Sequence, residues 1–279
     1  ILAALGMVAL GFAQTALQWV LVWGVIGVAQ ACCFYESCFA FLTRRLGGDA
    51  RGAITKVTLV AGFAGTLSFP LGKILSHNFG AQGALVAFAG LILAGAVPVN
   101  AIAVRQLRRL QRVQGARPAP EPGALRAAMR LPAFWAIAAI FGILNLNHGI
   151  LLTYVLMLFE DRGANVTLAT IAAASIGPSQ VLGRLVLMLN EARIGNARAT
   201  LIALIAIVLA GVALLAAGVA PVLIFVFAAL QGTGIGLTSI LRPVLVADFL
   251  GRRGFGAISG AVAVAPILAS AAAPSVGAA

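Results

Sequence analysis

Apolar residues fall along this chain in long unbroken runs, without the strict alternation of a half-buried strand, and charge is confined to short intervals between them. Runs of bilayer-crossing character occupy roughly 1 to 13, 16 to 42, 57 to 76, 83 to 104, 133 to 159, 166 to 189, 199 to 218, 221 to 249 and 255 to 279. Hydrocarbon cannot satisfy a free backbone N–H or C=O, so a spanning segment is a helix or part of a closed barrel. Runs this long without period-two alternation predict helices. Between the fourth and fifth runs the character changes. Arg105, Arg108, Arg109, Arg112, Arg117, Arg126 and Arg130 surround the Pro-rich stretch Arg117-Pro118-Ala119-Pro120-Glu121-Pro122-Gly123. The pattern predicts an all-α membrane protein in three parts: residues 1–104 as an N-terminal bundle of about four helices, 105–132 as a basic linker, and 133–279 as a C-terminal bundle of about five.

Charge then orients the chain. Successive spans alternate direction, so the intervals 43–56, 105–132, 190–198 and 250–254 share one side, and they hold fifteen of the nineteen basic residues. The opposite intervals contribute only Arg162, flanked by Glu160 and Asp161. Lysine and arginine accumulate on the cytoplasmic side, which makes the linker cytoplasmic. Composition agrees with a bilayer location, at 62% apolar and 9% charged residues, against about 25% charged in soluble domains. A net charge of +12 does not signal nucleic acid here, because the basic residues sit in short loops and not on a soluble face interleaved with aromatics. Cys32, Cys33 and Cys38 lie in one apolar span, where they read as small hydrophobes and not as a metal site. No His-Glu-x-x-His, Gly-x-Ser-x-Gly or phosphate-loop pattern occurs, so the expectation is no enzyme and no cofactor. The chain begins at Ile1 and ends at Ala279 inside apolar runs, and is expected to be a segment of a longer protein truncated at both ends.

Ionisable groups within the spans are costly to insert and mark function by default. Lys73, near a helix end, is expected to snorkel to the headgroups. Arg184 can grip a carboxylate with its planar fork; a structural ion pair or snorkelling is the alternative. Glu36 lies about 12 Å inside the membrane, eight residues from Arg44. It is read either as a proton carrier or as the partner of Arg242 in a pair that gates. His148 can change charge between about pH 5 and 8 and shares a helix face with Asn145, three residues away, whereas Asn147 points elsewhere. Gly232-Thr233-Gly234-Ile235-Gly236 reads as a helix-packing stretch and not as a nucleotide loop.

An internal echo supports two related halves. Tyr35-Glu36 leads to a basic loop ending Gly52-Ala53-Ile54, and Leu241-Arg242 leads to one ending Gly256-Ala257-Ile258. Two helical halves joined by a basic linker resemble the major facilitator superfamily, in which two six-helix bundles flank a central cavity. The resemblance implies that the spans correspond to helices 3 to 6 and 7 to 11 of that fold, with helices 1, 2 and 12 outside this chain. Gly183-Arg184-Leu185 followed by Asn190-Glu191-Ala192-Arg193-Ile194-Gly195-Asn196 resembles the end of helix 8 and the loop after it, where an acidic residue, an arginine and a glycine form a conformational latch. The resemblance thus makes Glu191 and Arg193 latch residues. An extra residue separates them here, and Asn196 stands where a second basic residue is usual.

Phe34-Tyr35-Glu36, Leu42-Thr43-Arg44 and Gly232 to Gly236 resemble the oxalate/formate antiporter and monocarboxylate transporter branch, in which an arginine near position 184 engages the substrate carboxylate. The second cation of the oxalate transporters, a helix 11 lysine, has no counterpart between Phe255 and Ala279, which favours a monoanion. These readings converge on a secondary transporter of a small monocarboxylate-like anion working by alternating access. Arg184, His148, Asn145 and Tyr35 would bind substrate, and Glu36 and Arg242 would couple or gate. Its partners are the lipid bilayer, the solute and a proton. It is expected to act as a monomer, without nucleic acid, in a bacterial inner membrane. The alternatives are proton-driven efflux of hydrophobic or cationic compounds, in which Glu36 meets the solute, and a non-transporting sensor or inactive fragment.

Overall fold

A computed structural model describes residues 1–33, 35–46, 50–114, 123–190 and 193–279, with side chains at all of these except 36, 44, 51, 65, 66, 69, 70, 73, 107 and 110–114. Among the described residues every regular element is helical. In chain order they are α1 (Leu2–Phe12), α2 (Ala16–Cys33), α3 (Tyr35–Leu46), α4 (Ala50–Leu91), a π-helical turn (Ile92–Ala96), α5 (Val97–Gln114), α6 (Ala124–Met129), α7 (Pro132–Asp161), α8 (Val166–Leu189), α9 (Asn196–Ala216), α10 (Leu223–Phe249) and α11 (Phe255–Gly277). Seven helical segments among them are long and apolar enough to cross a bilayer: Ala16–Thr43, Ile74–Gln106 and the five helices α7 to α11. Leu2–Phe12 and Gly52–Ala64 are apolar but shorter.

Two differences from the nine expected runs have local causes. The runs at 57–76 and 83–104 meet in one helical stretch broken at Gly80, whose φ of 69° and ψ of 177° lie outside the helical region. A side chain at that φ is strained, so glycine sets the break. The amphipathic α5 also continues as helix through Gln114, so Arg105, Arg108 and Arg109 extend from a helix rather than from a loop.

The chain divides into two compact units, one formed by Ile1–Cys38 with Leu67–Pro120 and the other by Phe39–Thr66 with Glu121–Ala279. In the first, α1 lies against α2, with Gly6 so close to Ile26 that an added Cβ would fall 2.7 Å from its Cγ1. In the second, α7 runs along α11, and α10 packs along both α8 and α9. The glycines of α10 make that double packing possible. Gly232 and Gly236 are four residues apart and meet α8, where a Cβ on Gly232 would sit 2.5 Å from the Ile176 carbonyl oxygen. Gly234 lies between them in sequence and meets α9, where a Cβ would sit 2.6 Å from Ile207. Small residues at both faces let three backbones approach closely, the packing favoured where lipid supplies no hydrophobic drive between helices.

The interior of this unit is apolar. Phe159 and Phe227 meet edge to face with centroids 5.5 Å apart, surrounded by small and branched residues such as Ala172, Ile176 and Ile224. Asn165 starts α8 by accepting the Leu168 amide at 2.8 Å, satisfying one of the free donors at the helix start. Large apolar side chains also face outward, among them Leu182 and Val186 on α8, Val208 and Val212 on α9, and Leu152 and Met157 on α7. So extensive an exposed apolar surface is untenable in water and is what a hydrocarbon solvent requires.

Candidate functional site

The site is built around a cation inside the second unit. Arg184 follows Gly183 in α8 and is only 5% exposed, although its helix is otherwise apolar enough to span a membrane. Its Nη1 donates to the Thr58 carbonyl of α4 at 2.9 Å, and its Nε donates to the Gly236 carbonyl of α10 at 3.2 Å. A longer contact of 3.5 Å runs from Nη2 to Oε1 of Gln180, one turn earlier on its own helix. Nη1, Nε and Nη2 of the fork thus each meet an oxygen, on α4, α10 and α8 respectively.

Glycine makes the room. A Cβ on Gly62 would lie 2.6 Å from Nη1 of Arg184, so the guanidinium reaches Thr58 across a helix face with no side chain. Gly183 lies against Thr233 of α10, where a Cβ would come 3.0 Å from the backbone. Polar side chains line the same part of α8 and α10. Ser179 Oγ donates to the Ser175 carbonyl at 2.8 Å, and Ser239 Oγ donates to the Gly236 carbonyl at 2.8 Å, the oxygen that also receives Arg184. Pro178 and Pro243 lie inside these helices.

A second polar group joins α7 to α10. Gln231, 1% exposed, donates from Nε2 to Oδ1 of Asn147 at 3.2 Å. Asn145 turns back to its own helix, donating to the Phe141 carbonyl at 2.8 Å, so the asparagine that meets α10 is Asn147. His148 is half-buried, and its Nδ1 is buried with no hydrogen-bond partner among the described residues. Gln231 escapes a search of the sequence for charge. Its signal is an amide immediately before the glycine stretch in an otherwise apolar span.

The remaining expected residues are distributed as follows. Arg242 is half-buried on α10, in the same unit as Arg184. Tyr35 is half-buried on α3 in the other unit. The Glu36 side chain and the whole of Glu191 lie outside the described residues. Arg193 is exposed, and Asn196, at the start of α9, donates its amide to Asp248 near the end of α10. An open cleft of about 790 Å³ lies between α6 and the turn after α10, lined by Ala124, Leu131, Asp248, Arg252, Arg253 and Ile258 among others. Arg184, Gln231, Asn145, Asn147 and His148 are not among its lining residues.

A family model described as Major Facilitator Superfamily matches residues 1–274. No curated protein matches the chain.

Proposed function

Because the chain belongs to the Major Facilitator Superfamily, and is therefore an integral multi-pass membrane transporter of a small solute, we propose that its solute is a small organic anion of the monocarboxylate kind, moved by alternating access. The observation that carries this reading is the buried guanidinium of Arg184, held in a membrane-spanning helix by carbonyl oxygens of α4 and α10. Those oxygens are neutral acceptors that an incoming carboxylate can replace. A carboxylate can take two parallel bonds from the guanidinium fork and also bring the opposite charge, which a backbone carbonyl does not. Exchange would release α4 from α8, a change of helix contacts that depends on the solute and is what alternating access requires.

In this account His148 and Asn145 shape the solute site on α7, and Tyr35 contributes from α3. Glu36 either carries a proton or pairs with Arg242 as a gate, and Glu191 with Arg193 acts as a latch after α8. The linker 105–132 is cytoplasmic, joining the bundle of residues 1–104 to that of 133–279, and the protein works as a monomer in a bacterial inner membrane.

Reconstitution into liposomes tests the reading. Saturable uptake of labelled short monocarboxylates, driven by an inward proton gradient and reduced by Glu36→Gln, is the expected result. Absence of carboxylate uptake together with proton-driven extrusion of cationic dyes would replace the anion with a hydrophobic cation, and no flux of either kind would point to a sensor.

A further inference from the structure

The cleft at one end of the second unit carries charge that solute binding does not use. Between Phe249, which ends α10, and Phe255, which starts α11, the chain turns at Gly251 (φ 89°) and Gly254 (φ 66°), conformations that favour glycine. The two glycines bracket Arg252 and Arg253, which are exposed and both line the cleft. The start of α6 lies against the same turn, where a Cβ on Gly254 would come 2.7 Å from the Cβ of Ala124. Ala124, Ala127 and Ala128, spaced to share one face of α6, line the cleft with small apolar groups. The one acid among the lining residues is Asp248, whose carboxylate accepts the Asn196 amide of α9. The cleft also lies at the depth of a membrane surface, since it opens beside the ends of α7, α10 and α11, each long and apolar enough to cross a bilayer. Leu131, which lines it, is 44% exposed, and Phe249, between two lining residues in sequence, is 60% exposed. Trp135, also exposed, donates from Nε1 to the Met129 carbonyl at 2.9 Å and so fastens the start of α7 to α6. A tryptophan with a polar tip and an apolar body at a helix end belongs to the membrane–water boundary.

We propose that this cleft binds the phosphodiester headgroup of an anionic phospholipid. Arg252 and Arg253 donate charge-assisted hydrogen bonds to the phosphate oxygens, and the alanine face of α6 leaves room for the glycerol. The acyl chains then continue along the exposed Leu131 and Phe249, an apolar rim on which a water-soluble phosphate has nothing to place. Binding here is a matter of the cleft and not of the general basic charge of this end of the protein. Arg126 supplies the contrast: it is exposed on α6, two residues from both Ala124 and Ala128 and so on the opposite side of the helix, and it does not line the cleft. The site shares no residue with the Arg184 group, so it stands or falls independently of the solute.

The test measures lipid binding to the purified full chain in detergent by native mass spectrometry, with phosphatidylglycerol and phosphatidylcholine of matched acyl chains. The unsubstituted protein is expected to bind phosphatidylglycerol with a Kd about 10-fold or more below that for phosphatidylcholine. Joint replacement Arg252→Gln and Arg253→Gln is expected to bring the two lipids within about twofold of each other, while Arg126→Gln, which removes an equal kind of charge outside the cleft, changes the ratio by less than about twofold. Ala127→Phe, at an exposed lining position, fills the cleft with every charge in place; it is expected to weaken phosphatidylglycerol binding and carries the test if the double variant fails to insert. Equal affinity for the two lipids, a loss from Arg126→Gln as large as from the double variant, or binding unchanged by Ala127→Phe would overturn the site. Displacement of the lipid by an equal concentration of glycerol 3-phosphate would overturn the lipid as occupant and assign the cleft to a soluble phosphate.

Discussion

Arg184 illustrates how a single residue is legible from sequence while its setting is not. A charge inside an apolar span announces itself, but nothing in the pattern around position 184 names Thr58 or Gly62, more than a hundred residues earlier, as the groups that receive it. The contact depends on the missing Cβ of Gly62. Gly62→Val is expected to push the guanidinium off the Thr58 carbonyl and to lower solute affinity about 10-fold, without altering charge. Arg184→Lys keeps the charge but loses the fork, and a loss of similar size is expected from uptake kinetics at matched protein levels. If Gly62→Val left uptake unchanged, the Thr58 contact would be irrelevant to function. The asparagines on α7 show a different limit. Helical spacing correctly separates the faces of Asn145 and Asn147, but periodicity alone does not say which face meets α10, and it is Asn147 that reaches Gln231.

At the scale of elements, the apolar runs foretell the helices because length and hydropathy are sufficient signals when the solvent is lipid. Helix ends and breaks are harder. The break at Gly80 and the continuation of α5 through Gln114 depend on backbone conformation and amphipathic pattern, not on mean hydropathy. The glycines of α10 allow a contrast within one class of substitution. Gly232→Val would drive a side chain into the α8 backbone at Ile176, and a loss of about 1–3 kcal/mol is expected, read as a lower unfolding temperature in detergent. Gly211→Ala, on α9, meets no atom within 4 Å. It is expected to hold or raise stability, by about 0.5–1 kcal/mol, because alanine favours helix. Equal effects from the two substitutions would show that the close packing of α10 is not what its glycines provide.

For the whole molecule, the outward apolar side chains and the family match together make the protein a multi-pass membrane transporter. The charge pattern adds an orientation. In a background with Cys32, Cys33 and Cys38 replaced by serine, Arg117→Cys is expected to react with an impermeant maleimide only in inverted vesicles and Asp161→Cys only in intact cells, and the reverse labelling would invert the proposed topology. Solute identity is less legible at this scale, because a bundle fold hosts many solutes and the choice among them lies with a few side chains. The account therefore stands or falls on Arg184. The most direct test is saturable uptake of a labelled monocarboxylate into proteoliposomes by the unsubstituted protein and by Arg184→Ala at equal insertion. The account predicts uptake that saturates in the first and is lost in the second; uptake equally strong in Arg184→Ala would contradict it.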